Sequence, residues 1–228
     1  MSELRSDLIP LCREAIHKAG NIAQSLKNKI KIKYKSENQP VTNADIEINK
    51  YLFDFFKKET PKFGWLSEES TDDLSRLNNN FFWCLDPIDG TRSFISGKPE
   101  YTISIALMNN SFPILGMIFN PETKEFFYAE KNKGAFFNNK KILVKPNKNL
   151  NSSVYAISTS EIKYLRSKDF FNKKKIIKLG SIAYKIALVA KGEIDVALSL
   201  TKKNDWDIAA ADVLITEAGG KLVEMIGK

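Results

Sequence analysis

Residues 86–91 (DPIDGT) combine residue types that could bind a metal ion and a phosphate group. They directly follow the apolar segment FFWCL, so Asp86 and Asp89 can converge at a strand end while the Ile88 carbonyl faces the same space. Oxygen-only ligands of this kind suit hard cations such as Mg²⁺. Thr91 is predicted to open a short helix whose N–H groups can receive an anion, and Gly90 lets that anion approach the backbone. Taken alone, the segment is equally consistent with an ordinary turn that carries an Asp cap.

Three further segments add carboxylates at comparable positions. They are LSEES (66–70) with Glu68 and Glu69 after an apolar run, NDWDIAA (204–210) with Asp207 in the first turn of a predicted helix, and PVTNAD (40–45) with Asp45 at another helix start. Each has a simpler interpretation: a solvated acidic loop, an acid that complements the helix dipole, and a helix cap. The occurrence of all four segments in one chain favours a metal-dependent site.

The periodicity of the chain predicts the elements that would position these carboxylates. Apolar residues at intervals of three and four predict an amphipathic helix over 3–28, and alternation predicts a strand over 31–35. A helix capped by Thr42 or Asn43 follows, then strands at 63–66 and 81–85 and a run of antiparallel strands from 101 to 137. The remaining predicted elements are strands at 154–158, 175–179 and 194–200, a helix from 181 and a helix over 205–218.

These elements predict a layered, mixed α/β protein with mixed sheets. The polar stretch at 146–153 is the candidate boundary between two halves of one integrated unit. The N-terminal half, 1–147, holds most of the acidic motifs, and the C-terminal α/β half, 148–228, contributes Asp207.

Composition and charge exclude several classes of protein. Of the 228 residues, 43% are hydrophobic and 27% are charged, so the chain can bury a core and keep a soluble surface. No apolar run reaches the roughly 18 residues of a membrane span, and the N-terminus lacks the apolar core of a secretory signal, which predicts a cytoplasmic protein. Cys12 and Cys84 are predicted to be buried thiols, and His17, the single histidine, to be structural. The net charge of +8 could attract phosphorylated metabolites or nucleic acid.

The order of the motifs resembles that of one known family. DPIDGTRSFISGKPEYTISIALM, preceded by LSEES and followed by DWDIAAADVLITEAGG, is similar to the inositol monophosphatase superfamily. Its relatives include bisphosphate nucleotidases, histidinol-phosphate phosphatases and fructose-1,6-bisphosphatases. The resemblance runs from Val41 to Gly220 and covers most of the chain. It implies a layered αβαβα fold of the sugar-phosphatase type, with the active site between the two halves.

The resemblance also implies roles for individual residues, carried over by their positions in the motifs. The implied ligands of two or three Mg²⁺ ions are Glu68, Asp86, the Ile88 carbonyl, Asp89 and Asp207. The implied catalytic residues are Glu68 and Thr91, which would position the attacking water, and Asp45, which would hydrogen-bond Thr91. The implied substrate contacts are Gly90, Thr91, Arg92, Ser181 and Asp207. Water would attack phosphorus directly, without a covalent enzyme intermediate.

Departures from the family pattern bear on the substrate. Members that act on inositol phosphate usually carry a glutamate seven residues before the helix aspartate, and this chain has Leu200 there. Lys202 or Lys203 could meet a second phosphate, although an exposed basic turn explains them equally well. Arg92, directly after Gly90 and Thr91, makes this motif resemble that of members that act on histidinol phosphate or nucleotide bisphosphates. The expected substrate is a 3′(2′),5′-bisphosphate nucleotide or an inositol phosphate, with histidinol phosphate as the alternative.

Other interpretations stay open. The SuhB-like proteins of the superfamily associate with RNA polymerase, which suggests a nucleic-acid-related binding role, and an inactive paralogue would carry similar motifs. Relatives typically continue for a few dozen residues beyond the position of Lys228, so lower stability or an incomplete substrate wall is expected. The family resemblance further implies a homodimer that is inhibited by lithium.

Overall fold

The computed structural model describes residues 7–37, 39–146, 149–165 and 174–224. The predicted boundary between residues 147 and 148 lies outside these ranges, as do residues 3–6 of the first predicted helix. Two long helices open the described chain, α1 (Leu8–Leu26) and α2 (Asn43–Glu59), and a hairpin of β1 (Ile32–Ser36) and β2 (Gln39–Thr42) joins them. Thr42 begins α2 as predicted, because its hydroxyl accepts hydrogen bonds from the Ala44 and Asp45 N–H groups.

A seven-stranded sheet forms the centre of the described part of the chain. Its strands in spatial order are β3 (Gly64–Ser67), β4 (Phe81–Asp89), β5 (Thr102–Asn109), β6 (Phe112–Asn120), β7 (Glu125–Glu130), β8 (Gly134–Phe137) and β9 (Lys140–Ile142). β3 and β4 are parallel, and the other neighbouring strands are antiparallel. The carboxyl ends of β3 and β4 therefore meet at one edge, where the LSEES and DPIDGT motifs lie. The short helix α3 (Thr91–Ile95) follows β4 directly.

A smaller parallel sheet is built from the second half of the described chain. Its order is β11 (Lys175–Lys178), β10 (Val154–Ile157) and β12 (Val196–Ala197). The single-turn α4 (Ile162–Leu165), then α5 (Ile182–Ala190) and α6 (Asp205–Glu217), complete this part.

The strand predicted over 194–200 is wrong in length, since β12 contains only Val196 and Ala197. Beyond it, the Leu198 carbonyl accepts a 2.7 Å hydrogen bond from the Lys185 ammonium. The Leu200 N–H donates to Glu161 Oε1 at 2.6 Å. Because side chains bond the Leu198 carbonyl and the Leu200 N–H, these backbone groups do not extend the sheet, and β12 ends at Ala197.

Helices cover both faces of the large sheet. Alternate residues of a strand point to opposite faces, so Trp83 and Leu85 of β4 pack in one core with α1 and α2, while Cys84 packs in a second core with α5 and α6. The small sheet joins the second core through residues such as Ala156. Helical and sheet layers thus alternate, and the predicted layered, mixed α/β fold is confirmed.

Helix α6 packs unusually closely on the large sheet. A Cβ added at Gly116 of β6 would lie 2.4 Å from the Ala210 carbonyl oxygen of α6, closer than real Cβ contacts come. The missing side chain therefore lets the helix backbone rest on the strand, which determines where the first turn of α6 sits.

Three smaller expectations concern residues outside the site. The free thiols of Cys12 and Cys84 are buried, as predicted. The His17 ring packs on Phe119 with ring centroids 4.3 Å apart, which is a structural contact. Among the described residues, no helix has both the length and the apolar character needed to cross a membrane.

Candidate active site

Glu68, Asp86 and Asp207 come together in one cluster. Each offers one carboxylate oxygen, and these three atoms lie within 4.8 Å of one another. Glu68 directly follows β3 and its N–H donates to the Leu85 carbonyl of β4 at 3.2 Å, which places it beside Asp86. Asp207 arrives from the first turn of α6, where its Oδ2 accepts a 2.7 Å hydrogen bond from the Asn204 N–H. All three acids line a cavity of about 530 Å³.

Asp89 lies on the wall of the same cavity but outside this close cluster. Its Oδ2 accepts hydrogen bonds from the Ser181 hydroxyl at 2.5 Å and from the Ala183 N–H at 2.6 Å. The carboxylate therefore ties the end of β4 to the start of α5.

Ser181, predicted to contact substrate, is held by internal hydrogen bonds. The residue is fully buried, and its hydroxyl also accepts from the Tyr184 N–H at 3.0 Å and lies 3.1 Å from the Thr102 hydroxyl. Its hydroxyl caps α5 and bonds Asp89, and its contact with substrate stays a prediction.

The backbone between Asp86 and Asp89 departs from regular strand geometry. The pairing of β4 with β5 shifts register between these two residues, and the Ile88 N–H turns back to Asp86 Oδ1 at 3.0 Å. Because the irregularity breaks the alternation of side chains, both aspartates reach the cavity wall. The Ile88 carbonyl accepts a 3.0 Å hydrogen bond from the Thr91 hydroxyl.

Thr91 and Asp45 also meet in the structure. The Thr91 hydroxyl lies 3.3 Å from Asp45 Oδ1, while Asp45 Oδ2 accepts from the Thr42 N–H at 2.8 Å and from the Thr42 hydroxyl at 2.5 Å. One hydroxyl proton can serve either Asp45 or the Ile88 carbonyl, but not both at once. The structure thus contains the Asp45–Thr91 pair that the family resemblance implied.

Gly90, Thr91 and Arg92 follow along the cavity wall. Gly90 adopts φ +95°, a left-handed conformation that favours glycine, and a Cβ there would lie 2.9 Å from the Glu100 carbonyl oxygen. The first N–H groups of a helix have no partner inside it, so this turn can present donors to an anion. Arg92 is exposed at the mouth of the cavity.

Lys35 is a neighbour of the cluster that sequence reasoning missed. Its ammonium on β1 donates to Glu68 Oε1 and to Glu69 Oε1, both at 2.7 Å. Burial acts to lower the pKa of Lys35, but the two carboxylate bonds outweigh burial and raise it. No local pattern marks this contact, because it depends on the hairpin folding back over residues more than thirty positions away.

The site concentrates negative charge in a buried place. Burial, followed by the charges of Glu68, Asp89 and Asp207, raises the pKa of Asp86 well above its ordinary value. Burial also raises the pKa of Asp207 to about 6 and that of Asp45 to about 6. Burial raises the pKa of Asp89 despite its hydrogen bonds to Ser181 and Ala183. In each case burial outweighs the groups that favour the ionised form, which for Asp89 and Asp207 include the charge of Lys203.

The donor set fits a hard divalent cation. The described residues that line the cavity offer carboxylate, carbonyl and hydroxyl oxygens and include no thiol, thioether or imidazole. Oxygen donors with net negative charge are what Mg²⁺ prefers in proteins. A cation among Glu68, Asp86 and Asp207 would also remove the mutual repulsion of these carboxylates.

Comparisons with known proteins agree with this geometry. Residues 4–228 match the model of the Inositol monophosphatase family. The chain is 33% identical to the fructose-1,6-bisphosphatase/inositol-1-monophosphatase of Thermotoga maritima over 197 residues, which cover 82% of this chain and 72% of the relative. It is 31% identical to the Nus factor SuhB of Vibrio cholerae over 232 residues, covering 96% and 86% respectively.

The fold agrees with solved structures as well. The crystal structure of the extragenic suppressor protein SuhB from Bartonella henselae superposes with a TM-score of 0.84 at 30% identity, covering 95% of this chain and 86% of that one. The family model spans nearly the whole sequence, and the relatives share the fold that carries the acidic cluster. The chain therefore belongs to the inositol monophosphatase family of phosphate monoester hydrolases.

Proposed function

We propose that this protein is a Mg²⁺-dependent phosphomonoesterase that hydrolyses a small phosphorylated metabolite. The observation that carries the proposal is the convergence of Glu68, Asp86 and Asp207 within 4.8 Å on the wall of one cavity. These acids come from two strand ends and one helix start; among the described residues, Lys35 is bonded to Glu68, and the charge of Lys203 acts on Asp207.

The cluster would hold the metal, with Asp89 and the Ile88 carbonyl completing the ligands of two or three ions. Bound Mg²⁺ would neutralise charge on the phosphoryl oxygens and lower the pKa of the attacking water. Gly90 and Thr91 would hold the phosphate through their N–H groups at the start of α3.

Asp45 and Thr91 are proposed to orient the water. Burial raises the pKa of Asp45 to about 6, so its carboxylate is ionised above that pH. The ionised carboxylate can accept a hydrogen bond from the Thr91 hydroxyl. The Thr91 oxygen is then available to accept a hydrogen bond from water, and Glu68 can accept a second one. Two acceptors would turn a lone pair of the water toward phosphorus.

The substrate class is proposed from the site and the relatives together. The Thermotoga relative is named both a fructose-1,6-bisphosphatase and an inositol monophosphatase. We propose a 3′(2′),5′-bisphosphate nucleotide or an inositol phosphate as substrate, with histidinol phosphate as the alternative. A homodimer, inhibition by lithium and a cytoplasmic location remain predictions, which sedimentation, activity assays and cell fractionation, respectively, can check.

Phosphate release across these substrates, with and without Mg²⁺, tests the proposal. Asp207→Asn is expected to lower Mg²⁺-dependent release by more than about 100-fold, which exceeds the effect of outer partners of a metal. Asp205→Asn is the matched control, since Asp205 lies two positions earlier in α6 and outside the carboxylate cluster. Metal-independent release, or equal loss in both variants, would contradict the proposal.

A second candidate function is suggested by one relative and by charge. The Vibrio relative is named a Nus factor, and the net charge of this chain is +8, which would favour contact with nucleic acid. A salt-sensitive RNA mobility shift that persists in Asp86→Asn would support such a role. Absence of binding at low salt would dispose of it.

A further inference from the structure

A second cavity lies apart from the acidic cluster and has no part in the proposed chemistry. It has a volume of about 460 Å³, and among the described residues it shares no wall with the cavity of the carboxylates. Its walls are one face of α2, the start of β3 and the turn that follows Ser70. Small-molecule sites in proteins span roughly 300–1,000 Å³, so this cavity is large enough to be one.

Aromatic rings form much of this second cavity's wall. The rings of Phe53 and Trp65 pack edge-on, with centroids 5.5 Å apart and an interplanar angle of 80°. Phe53 is 38% exposed, and Phe63 and Trp83 also line the cavity. Because an aromatic side chain within reach of a ligand offers a surface for stacking, the wall suits a ligand that contains a planar ring system.

The two tryptophans of this wall differ in how their N–H groups are satisfied. The Trp83 N–H donates to the Thr60 hydroxyl at 2.9 Å. The Trp65 N–H is buried and has no hydrogen-bond partner among the described residues. A buried N–H without a partner is costly, and an acceptor atom supplied by a ligand would remove that cost.

Positive charge lies beside these rings. Lys50 and Lys57 lie on the face of α2 that lines the cavity, and Lys62 lies in the segment before β3. Lys50 is paired with Asp54, whereas the ammonium groups of Lys57 and Lys62 form no ion pair or hydrogen bond with a described residue. Asp73 is the acid among the described lining residues, so the wall is positive overall. Two ammonium groups are therefore available to an anionic ligand.

We infer that this cavity is a second ligand site and that its ligand is a nucleotide. A nucleotide joins the two chemistries that the wall offers, because its planar base can stack on Phe53 and Trp65 while its phosphates bind Lys57 and Lys62. Acceptor atoms of the base or the sugar would pair with the Trp65 N–H. The bounded volume of the cavity favours a free nucleotide over a polymer. The site adds a binding function to the chain and does not depend on the proposed phosphatase activity.

Isothermal titration calorimetry in EDTA tests the inference with three probes, which are adenosine 5′-diphosphate (ADP), adenosine and pyrophosphate. EDTA ensures that no Mg²⁺ holds the phosphates at the acidic cluster. ADP is expected to bind at least about tenfold more tightly than adenosine or pyrophosphate, because it alone engages both the rings and the lysines.

Substitutions in the wall assign the binding to this cavity. Lys57→Met and Lys62→Met are each expected to raise the dissociation constant of ADP about tenfold, as loss of a charge-assisted hydrogen bond predicts. Trp65→Phe keeps an aromatic ring but removes the N–H, and it should raise the dissociation constant about fivefold. Lys58→Met is the matched control, since Lys58 is the exposed neighbour of Lys57 in α2 and lies outside the described lining residues. Melting temperatures check that all four variants fold.

Several results would overturn the inference. One is a wild type that does not bind ADP, or that binds adenosine or pyrophosphate equally well. Another is an unchanged dissociation constant in the Lys57, Lys62 and Trp65 variants, which would place the nucleotide elsewhere. A loss in Lys58→Met that matches the loss in Lys57→Met would indicate a diffuse charge effect and would overturn it as well. Because the titrations contain no Mg²⁺ and measure no phosphate release, these results leave the phosphatase proposal intact.

Discussion

Two buried carboxyl groups in this protein are almost equally hidden from water, yet their pKa values move in opposite directions. Asp86 in the acidic cluster is 2% exposed, and Glu161 beside the small sheet is 5% exposed. Burial followed by neighbouring acids raises the pKa of Asp86. Burial acts the same way on Glu161, but hydrogen bonds and the charge of Lys185 outweigh it and lower the pKa.

The difference lies in the partners that each group has. Glu161 accepts from the Ser158 hydroxyl, from the Ser199 hydroxyl at 3.0 Å and from the Leu200 N–H at 2.6 Å. The Lys185 ammonium lies 4.0 Å away. Glu161 is thus a satisfied structural charge, whereas the charged groups that act on Asp86 among the described residues are carboxylates. Burial alone does not identify a functional acid, because the groups around the acid decide whether burial raises or lowers its pKa.

Substitution of Glu161 gives the largest expected effect on stability. Glu161→Gln leaves the buried Lys185 ammonium without its counter-charge, and removal of one partner of a buried pair costs about 3 kcal/mol of the free energy of unfolding. The melting temperature should fall by about 6–12 °C for a chain of this size. By contrast, Asp86→Asn in EDTA should be at least as stable as the wild type, because it removes a repelled charge. Thermal unfolding monitored by circular dichroism measures both.

An exposed pair supplies the control for this experiment. Glu14 and Lys18 form a surface pair in α1, with both side chains more than half exposed. Glu14→Gln should leave the melting temperature close to that of the wild type, because exposed ion pairs contribute little. If Glu161→Gln unfolds like the wild type while Asp86→Asn in EDTA is the less stable variant, the contrast between the two carboxyl groups is wrong.

Mg²⁺ should stabilise the protein through the acidic cluster that contains Asp86 and not through the surroundings of Glu161. At 100 times its dissociation constant, Mg²⁺ is expected to raise the free energy of unfolding of the wild type by about 2.7 kcal/mol. Glu161→Gln should keep this increment, since its site is separate, and Asp86→Asn should lose most of it. Differential scanning calorimetry over a Mg²⁺ series measures the increment. An undiminished increment in Asp86→Asn would place the metal elsewhere.

The pH dependence of stability in EDTA gives the smallest and most specific expected difference between the wild type and Asp86→Asn. The pKa of Asp86 is raised in the folded protein, so between its unfolded and folded pKa values the unfolded chain has released a proton that the folded chain keeps. Stability from this group is therefore present at low pH and lost as pH rises. The stability advantage of Asp86→Asn over the wild type should grow as the pH rises above the ordinary pKa of an aspartate, and a shrinking advantage would contradict the assignment.

When the wild type is compared with Asp86→Asn, the contributions of other titrating groups to the pH dependence of stability cancel. His17 has a pKa lowered by burial and by nearby Arg13 and Lys124, which makes stability rise with pH below its ordinary value. This contribution opposes that of Asp86 but is identical in the two proteins. The difference between their curves therefore isolates the cluster.

Local patterns predicted much of the fold and the motifs of the site. The helix at Asp45 begins at one of its predicted caps, Thr42, and the helix that holds Asp207 begins at the predicted residue, Asp205. The strands before Glu68 and Asp86 were evident as apolar runs. These features depend on near neighbours in sequence, so their signals are visible in one chain.

Long-range side-chain partners could not be predicted in the same way. The pattern around Ser181 indicated a helix start, but not that its hydroxyl would bond Asp89, 92 positions earlier. Lys185 interrupts an apolar helix face, yet nothing local shows that it would take the Leu198 carbonyl and shorten β12. Such contacts are decided by how distant elements pack, and local propensity carries no information about them.

The bonds from Asp89 to the first turn of α5 also have a consequence for assembly. They join β4, the strand that carries Asp86 of the acidic cluster, to a helix from the C-terminal half of the chain. A nascent or truncated chain that lacks α5 would hold Asp89 without these partners. It would also lack Asp207, because α6 follows α5, so the complete acidic cluster forms only after the C-terminal segments have docked.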